Sequence, residues 1–529
     1  MSAAIRHSTY AEVRAALLAR REIALLDVRE EDPHAQAHPL FAANFPLSRI
    51  ATNAYAKLPR RSVPIVVLDD GEGDAERAAA KLSELGYSDV AVLAGGVAGW
   101  AAAGGELFRD VNVPSKAFGE LVEATRHTPS FSAEEVQALI DANADVVIVD
   151  ARRFDEYQTM SIPTATSVPG AELVLRVPAL APAANTQVIV NCAGRTRSII
   201  GTQSLINAGL PNPVAALRNG TIGWTLAGQT LERGQSRRFG EVDEDTRQSA
   251  GEAARQVAER AGVGRIGRDT LASWQQQDGR STYFFDVRPP EEYEAGHLPG
   301  FRNVPGGQLV QETEMVAPVR GARLVLADDA GVRADMSASW LAQMGWEVYV
   351  LDDVGPADFT ESGPWQPPLP ALPAVNFISP AELARHQRET GDVAVLDLTT
   401  SANYLRGHVP GAWFVQPSRL AAALDRIPPA SLYVLTCATS QLAVFFAAEL
   451  EELLASPVRV LAGGTQGWRA AGQPLEAGPT LLASPPIDRY RRPYEGTDNP
   501  REAMQGYLDW EFGLVEQLAR DGTHGFFVI

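Results

Sequence analysis

The chain has 529 residues, 45% of them hydrophobic and 21% charged, with 45 Gly and 36 Pro; at roughly 100–200 residues per domain it holds several globular domains, and a single core is excluded. The formal net charge of −19 argues against a general affinity for nucleic acid or anionic membranes, so any anion site must be a local basic island. With two cysteines, Cys192 and Cys437, a disulfide framework and a zinc site built on several thiolates are excluded; the lack of an apolar run of about 18 residues or of a signal-peptide core points to a cytoplasmic protein.

In chain order, four copies of one pattern appear, each opening with an apolar run that ends in aspartate: IALLDVR, VVIVDAR, YFFDVR and VAVLDLT, at Asp27, Asp150, Asp286 and Asp397. Arg29, Arg152 and Arg288 follow two residues later; the fourth copy has Thr399 instead. A second run (IVVLD, VIVNC, LVLAD, YVLTC) ends at Asp69, Cys192 and Asp328, each 42 residues after the first aspartate, and at Cys437, 40 residues after. Helical stretches then reach Gly86, Gly209 and Gly345, all 17 residues on. A third run leads to GGVAGW, NGTIGW and GGTQGW at Trp100, Trp224 and Trp468; copy three keeps the strand VYVLDD and loses that landmark.

Short β-branched runs alternating with helical stretches predict an α/β fold, with mainly parallel sheets covered by helices on both faces. Ser132-Ala-Glu-Glu135 is a capping box, and Ser379-Pro380 a capping hydroxyl ahead of a first-turn proline. The boundaries fall at 1–115, 116–235, a polar linker 236–263 expected as a solvated helix or coil, 264–372, 373–480, and a tail 481–529 outside the repeat. In the tail, Asn499-Pro500 starts a helix whose Met504, Tyr507, Leu508, Phe512 and Leu518 form an apolar stripe, packed on another module or serving as a homodimer contact. Tyr490, Arg491, Arg492 and Tyr494 are candidates to cover a site.

Asp-x-Arg after a strand, then EEYEAGHLPG (Glu291–Gly300) or NYLRGHVPG (Asn403–Gly411), then a strand ending in Cys and a closing GGxxGW, resembles the rhodanese family over the chain to about residue 478. The resemblance implies four tandem rhodanese-like modules and a helical tail, with sulfur transfer as the activity and no cofactor or metal. It implies that Cys192 attacks the outer sulfur of thiosulfate, releases sulfite, and passes the sulfur from a persulfide to cyanide or a thiol. Module 2 is the expected catalytic one: Cys192, Ala193, Gly194, Arg195, Thr196 and Arg197 form a loop that leads into a helix. Its amide N–H groups, helix N-terminus and guanidinium groups would favour a thiolate and an oxyanion, with Arg197 as sulfonate clamp and Arg195 as a second positive contact. These charges predict a thiol titrating below the usual ~8.5.

Cys437 is a second candidate site, weakened by a loop, Ala438-Thr439-Ser440-Gln441-Leu442, that has no basic residue. Modules 1 and 3 carry Asp69 and Asp328 at the nucleophile position and are expected to be inactive, although copy three keeps Arg333 at the clamp position. The Asp-x-Arg pairs are expected as turn caps or internal ion pairs, and His297 and His408 as structural. Three rival readings remain. A dual-specificity-type phosphatase needs five residues between Cys and Arg, where this loop has four. A 3-mercaptopyruvate sulfurtransferase is closer, and a non-catalytic scaffold for a sulfur-carrying partner belongs to another class.

Overall fold

The computed structural model describes residues 5–529. Each of the four repeats is a small parallel sheet with one strand order. In module 2 the strands run Ser130–Phe131, Val214–Leu217, Gln187–Asn191, Val146–Asp150, Thr166–Ser167, all parallel. The strand ending at the nucleophile position is therefore central, and its carboxyl end lies where connections leave in opposite directions, the place where open α/β sheets build ligand sites. Both faces are covered. Val188 and Val190 point into one cluster and Ile189 into the other, the period of two expected of a strand buried on both sides.

The repeat landmarks have common physical causes. The three motif tryptophans are fully buried, and each indole N–H donates to a carbonyl six residues on, Trp100 to Glu106 at 3.0 Å, Trp224 to Thr230 at 2.9 Å and Trp468 to Pro474 at 2.7 Å. The Asp-x-Arg pairs are internal ion pairs. Arg152 donates from its backbone N–H and Nε to Asp150 Oδ1 at 3.0 and 2.9 Å, and from Nη2 to Asp150 Oδ2 at 2.8 Å and the Met160 carbonyl at 2.6 Å. Arg29 and Arg288 repeat this arrangement. His297 and His408 are structural: each stacks on a tyrosine, at 3.7 Å, and bonds that tyrosine's carbonyl oxygen. The capping boxes at Ser132 and Ser379 are both formed.

Two expectations need correction. Residue 115 is not a break: Val113–Arg126 is one continuous helix packed against the helix Thr196–Asn207. The linker is not merely solvated, since its helix Glu244–Arg260 buries Ala250, Ala254, Val257 and Ala258 against modules 2 and 3; small alanines at helical spacing make a contact face that a polar composition hides. In the tail, the helices Arg501–Phe512 and Leu514–Asp521 lie on the helix Val113–Arg126 and bury Met504, Tyr507, Leu508 and Leu518 within the chain, the packed alternative of the two expected; Phe512 stays 55% exposed.

Modules 1 and 3 are not independent. Val319–Arg320 of module 3 adds an antiparallel strand beside Ile23 and Ala24 of module 1, and one apolar cluster runs through both modules. Module 4 has its own clusters and meets module 1 through polar contacts, Arg419 with Asp74 at 2.7 Å and Arg77 Nη1 with the Ser418 carbonyl at 3.0 Å. Among the described residues, no helix is long and apolar enough to cross a membrane.

Module 4 also shows the cost of losing the arginine. With Thr399 in its place, Asp397 keeps one backbone donor at 2.9 Å, its Oδ2 has no partner, and burial raises its pKa to about 6. A folded-state pKa above the unfolded one means a stability that is complete below pH ~3.8 and falls as pH rises through about 6, by on the order of 3 kcal/mol. Asp397→Asn is therefore expected to raise the melting temperature of module 4 by several degrees at pH 7.5 and to leave it unchanged at pH 4, which calorimetry at the two pH values checks.

Candidate active site

At the carboxyl end of Gln187–Asn191, the chain turns through Cys192–Arg195 and enters the helix Thr196–Asn207. Cys192 is 1% exposed. Its Sγ–H donates to Ser198 Oγ at 3.4 Å, whose own hydroxyl donates to the Arg195 carbonyl at 2.8 Å. The preceding Asn191 ties the loop to the ion pair below it, Nδ2 donating to Asp150 Oδ2 at 2.8 Å. From the other side, the Thr221 N–H donates to the Cys192 carbonyl at 2.9 Å and the Ile222 N–H to the Ala193 carbonyl at 3.0 Å. This explains the glycine of NGTIGW. Gly220 has φ +55°, and a Cβ there would collide with the Cys192 carbonyl oxygen. Gly96 and Gly464 stand in the same relation to Asp69 and Cys437.

The two loop arginines have different tasks. Arg197 lies near Cys192 and is held bidentately by Glu156, at 2.8 and 3.0 Å. Burial works to raise the Glu156 carboxyl, and Arg197 nevertheless brings it down to about 2. Arg195 differs from the expectation. Its guanidinium bonds both oxygens of Glu120, at 2.7 and 2.8 Å, and pairs with Glu123, while Phe512 lies 4.2 Å from it. Arg195 thus bolts the loop to the helix Val113–Arg126 and brings little unneutralised charge to the site. Thr196 also faces that helix, against Gly119.

The thiol departs from the sequence expectation. Burial pushes the Cys192 pKa above the ordinary thiol value; Arg197 and the Ser198 N–H and hydroxyl oppose this without overcoming it. Carboxylates already neutralise the arginines, a fact that counting loop charges misses.

The other nucleophile positions are filled differently. Asp328 accepts the N–H groups of Gly331 at 2.6 Å and Arg333 at 2.9 Å, so its own carboxylate occupies the loop's anion-binding amides; burial pushes it up to about 7 against the pull of Arg333. Arg333 is 1% exposed and locked between Glu172, Glu292 and Asp329. Asp69 likewise accepts the N–H groups of Gly71 and Ala75, at 2.9 and 3.0 Å. Cys437 keeps the backbone cradle, with the Thr465 N–H on its carbonyl at 2.8 Å. It then packs against Leu442, Ala443 and Val444, ahead of a short 3-10 turn instead of a long helix. Both cysteines are free.

Several contributors escape a sequence reading. Glu156 precedes Arg197 by 41 residues, as Glu292 precedes Arg333, and the repeat register holds that signal. Glu511 and Tyr507, from the tail, close on the loop: a Cβ at Gly194 would stand 3.1 Å from the Tyr507 ring and 3.3 Å from Glu511 Oε2. Nothing in the repeat marks them. Of the expected cover, Tyr494 stands edge-on to Tyr507 and borders a pocket of about 440 Å³ shared with Arg152, Glu156 and Arg492. Tyr490 and Arg492 bind module 1, through Asp110 and Glu31, and Arg491 pairs with Asp498.

The rhodanese-like domain model matches residues 9–103, 132–227, 268–353 and 379–471, and the chain belongs to the rhodanese family. A solved structure of a thiosulfate sulfurtransferase from Pseudomonas aeruginosa is 68% identical, with 99% of this chain and 100% of that one covered and a TM-score of 0.98. An HTH-type transcriptional regulator of Mycobacterium tuberculosis is 44% identical over 75 residues, 13% of this chain and 30% of the regulator, so the chain spans less than a third of that relative.

Iodoacetamide alkylation of Cys192 is expected to rise with pH through a midpoint above the ordinary ~8.5 of a thiol, and Arg197→Ala to move that midpoint higher still. A midpoint below 8, or one indifferent to Arg197, would contradict this balance of burial and charge.

Proposed function

We propose that this chain is a thiosulfate sulfurtransferase carrying sulfur as a persulfide on Cys192. One observation carries the reading: of the four nucleophile positions, Cys192 alone combines a thiol, a long helix starting at its loop, and a nearby arginine. The full-length likeness to the Pseudomonas aeruginosa enzyme supports the donor. In the first half-reaction, the Cys192 thiolate attacks the outer sulfur of thiosulfate. The bond to the sulfonate sulfur breaks with its electron pair, and sulfite leaves. In the second, cyanide or a thiol takes the outer sulfur and the Cys192 thiolate is restored.

Arg197 is the sulfonate ligand in this reading. It lines a pocket of about 400 Å³ with Phe154 and Phe239, while its partner Glu156 lines the 440 Å³ pocket on the other side. Glu156 holds the fork in place until the donor's oxygens compete for it. Ala193, Gly194 and Thr196 supply loop backbone, and Arg195 is a positioning residue. Cys437 is assigned no transfer role, and modules 1, 3 and 4 serve as supports. The partners are small molecules, with neither nucleic acid nor membrane, and the two free thiols suit the cytoplasm.

Cys192→Ser is expected to abolish thiosulfate:cyanide turnover, and Cys437→Ser to leave it within about twofold. Thiosulfate alone should add roughly 32 Da to the peptide containing residue 192, a covalent intermediate that intact-protein mass spectrometry detects. A mass shift with mercaptopyruvate and none with thiosulfate would favour the mercaptopyruvate reading.

Arg197→Ala removes a charge-assisted contact worth ~1.5–3 kcal/mol, so kcat/KM for thiosulfate is expected to fall by roughly one to two orders of magnitude, mostly through KM. Arg195→Ala should cost thermal stability more than KM, since its partners are Glu120 and Glu123. Steady-state kinetics and melting curves on the two variants separate these effects.

A further inference from the structure

We infer that Glu511, delivered by the C-terminal helix, is a catalytic residue: as a neutral carboxylic acid it donates a hydrogen bond from Oε2 to the sulfur-donor anion bound at the Cys192 loop. The inference rests on Cys192 being the persulfide carrier. Glu511 lies outside the four repeats and is fully buried. Its two oxygens are treated unequally. Oε1 accepts the Tyr507 hydroxyl at 2.8 Å, whereas Oε2 has no hydrogen-bond partner among the described residues and faces Gly194, two residues after the nucleophile. A protonated acid accounts for this arrangement, with Oε1 as the carbonyl oxygen satisfied by a donor and Oε2 as a hydroxyl still lacking an acceptor. A buried hydroxyl without a partner is costly, so an arriving anion gains by accepting it.

The surroundings agree. The groups facing Glu511 are Tyr507 on its own helix, Lys116 and Glu120 on the connecting helix, and Arg195 and Cys192 on the loop. Burial, followed by Glu120, raises the carboxyl to about 8 against the pull of Lys116, Tyr507 and Arg195. At neutral pH the acid form dominates, and a proton donor is what a dianionic substrate requires in a loop whose arginines are already paired. An ionised Glu511 would instead repel thiosulfate and push the thiol further up. Buried carboxylic acids kept neutral in order to donate a hydrogen bond are known from other enzymes.

Thiosulfate:cyanide turnover by the full chain between pH 6 and 10 provides the test. In the wild type two ionisations oppose each other: the thiol gains reactivity as it loses its proton, and Glu511 ceases to donate above about pH 8, so kcat/KM is expected to be bell-shaped. Glu511→Gln keeps an N–H donor and cannot ionise; its activity at pH 7 should stay within about threefold, and its profile should rise without the alkaline fall. Glu511→Leu cannot donate, and kcat/KM should drop roughly 10- to 100-fold at pH 7. If the leucine variant does not fold, the glutamine profile decides. An alkaline fall that persists in Glu511→Gln overturns the proposal; so does a folded Glu511→Gln with turnover reduced a hundredfold, which would make Glu511 a proton acceptor. Failure of the wild-type protein to take up sulfur at Cys192 is a separate result, and it would overturn the underlying reading.

Discussion

A loop of inward-turned amide N–H groups at the end of a central strand must be given an acceptor, and the four modules give three answers to that requirement. Module 2 places a thiol there, with Ser198 and Arg197 beside it. Modules 1 and 3 place an aspartate, whose carboxylate accepts the amides directly. The aspartate is more than the absence of a nucleophile. It is a built-in ligand, one that occupies the turn's amides from within the chain. Module 4 retains sulfur but loses the helix start and the charge, and its cysteine becomes part of the core.

The same economy governs the charges. Nearly every arginine near a nucleophile position has a carboxylate of its own: Arg152 with Asp150, Arg195 with Glu120, Arg197 with Glu156, Arg333 with Glu172 and Glu292. Pairing makes burial tolerable and fixes the guanidinium plane, and it also removes most of the positive potential that the sequence suggests. Burial raises the Cys192 thiol, and the paired arginines leave too little positive charge to bring it back down.

The repeat was legible because its period is a physical one. Strand, turn and helix lengths set the 42-residue and 17-residue offsets, and the motif glycines and tryptophans each answer to one contact. The fold class, the strand ends and the positions of Cys192 and Arg197 could thus be read directly. The partner of Arg195 could not, because Glu120 and Glu123 lie in a connecting helix that belongs to no repeat. The pairing of Val319–Arg320 with module 1 was also hidden, since a two-residue strand carries no periodicity. Glu511 follows the last repeat at a position that only tertiary packing defines.

The strand that module 3 lends to module 1 changes what kind of repeat protein this is. In a simple array each unit touches only its neighbours in sequence, and units can be gained or lost one at a time. Here residues 23 and 24 wait for residues 319 and 320. The chain's last residues then close the circuit, with the Phe527 and Ile529 N–H groups on Gln343 and Arg14 on the Asp521 carbonyl. A nascent chain leaves the ribosome with the Ile23–Ala24 end of a strand in its first sheet unpaired on one side for some three hundred residues, and such distant pairings form slowly. The modules are therefore not interchangeable parts: deleting module 3 would remove a wall from module 1.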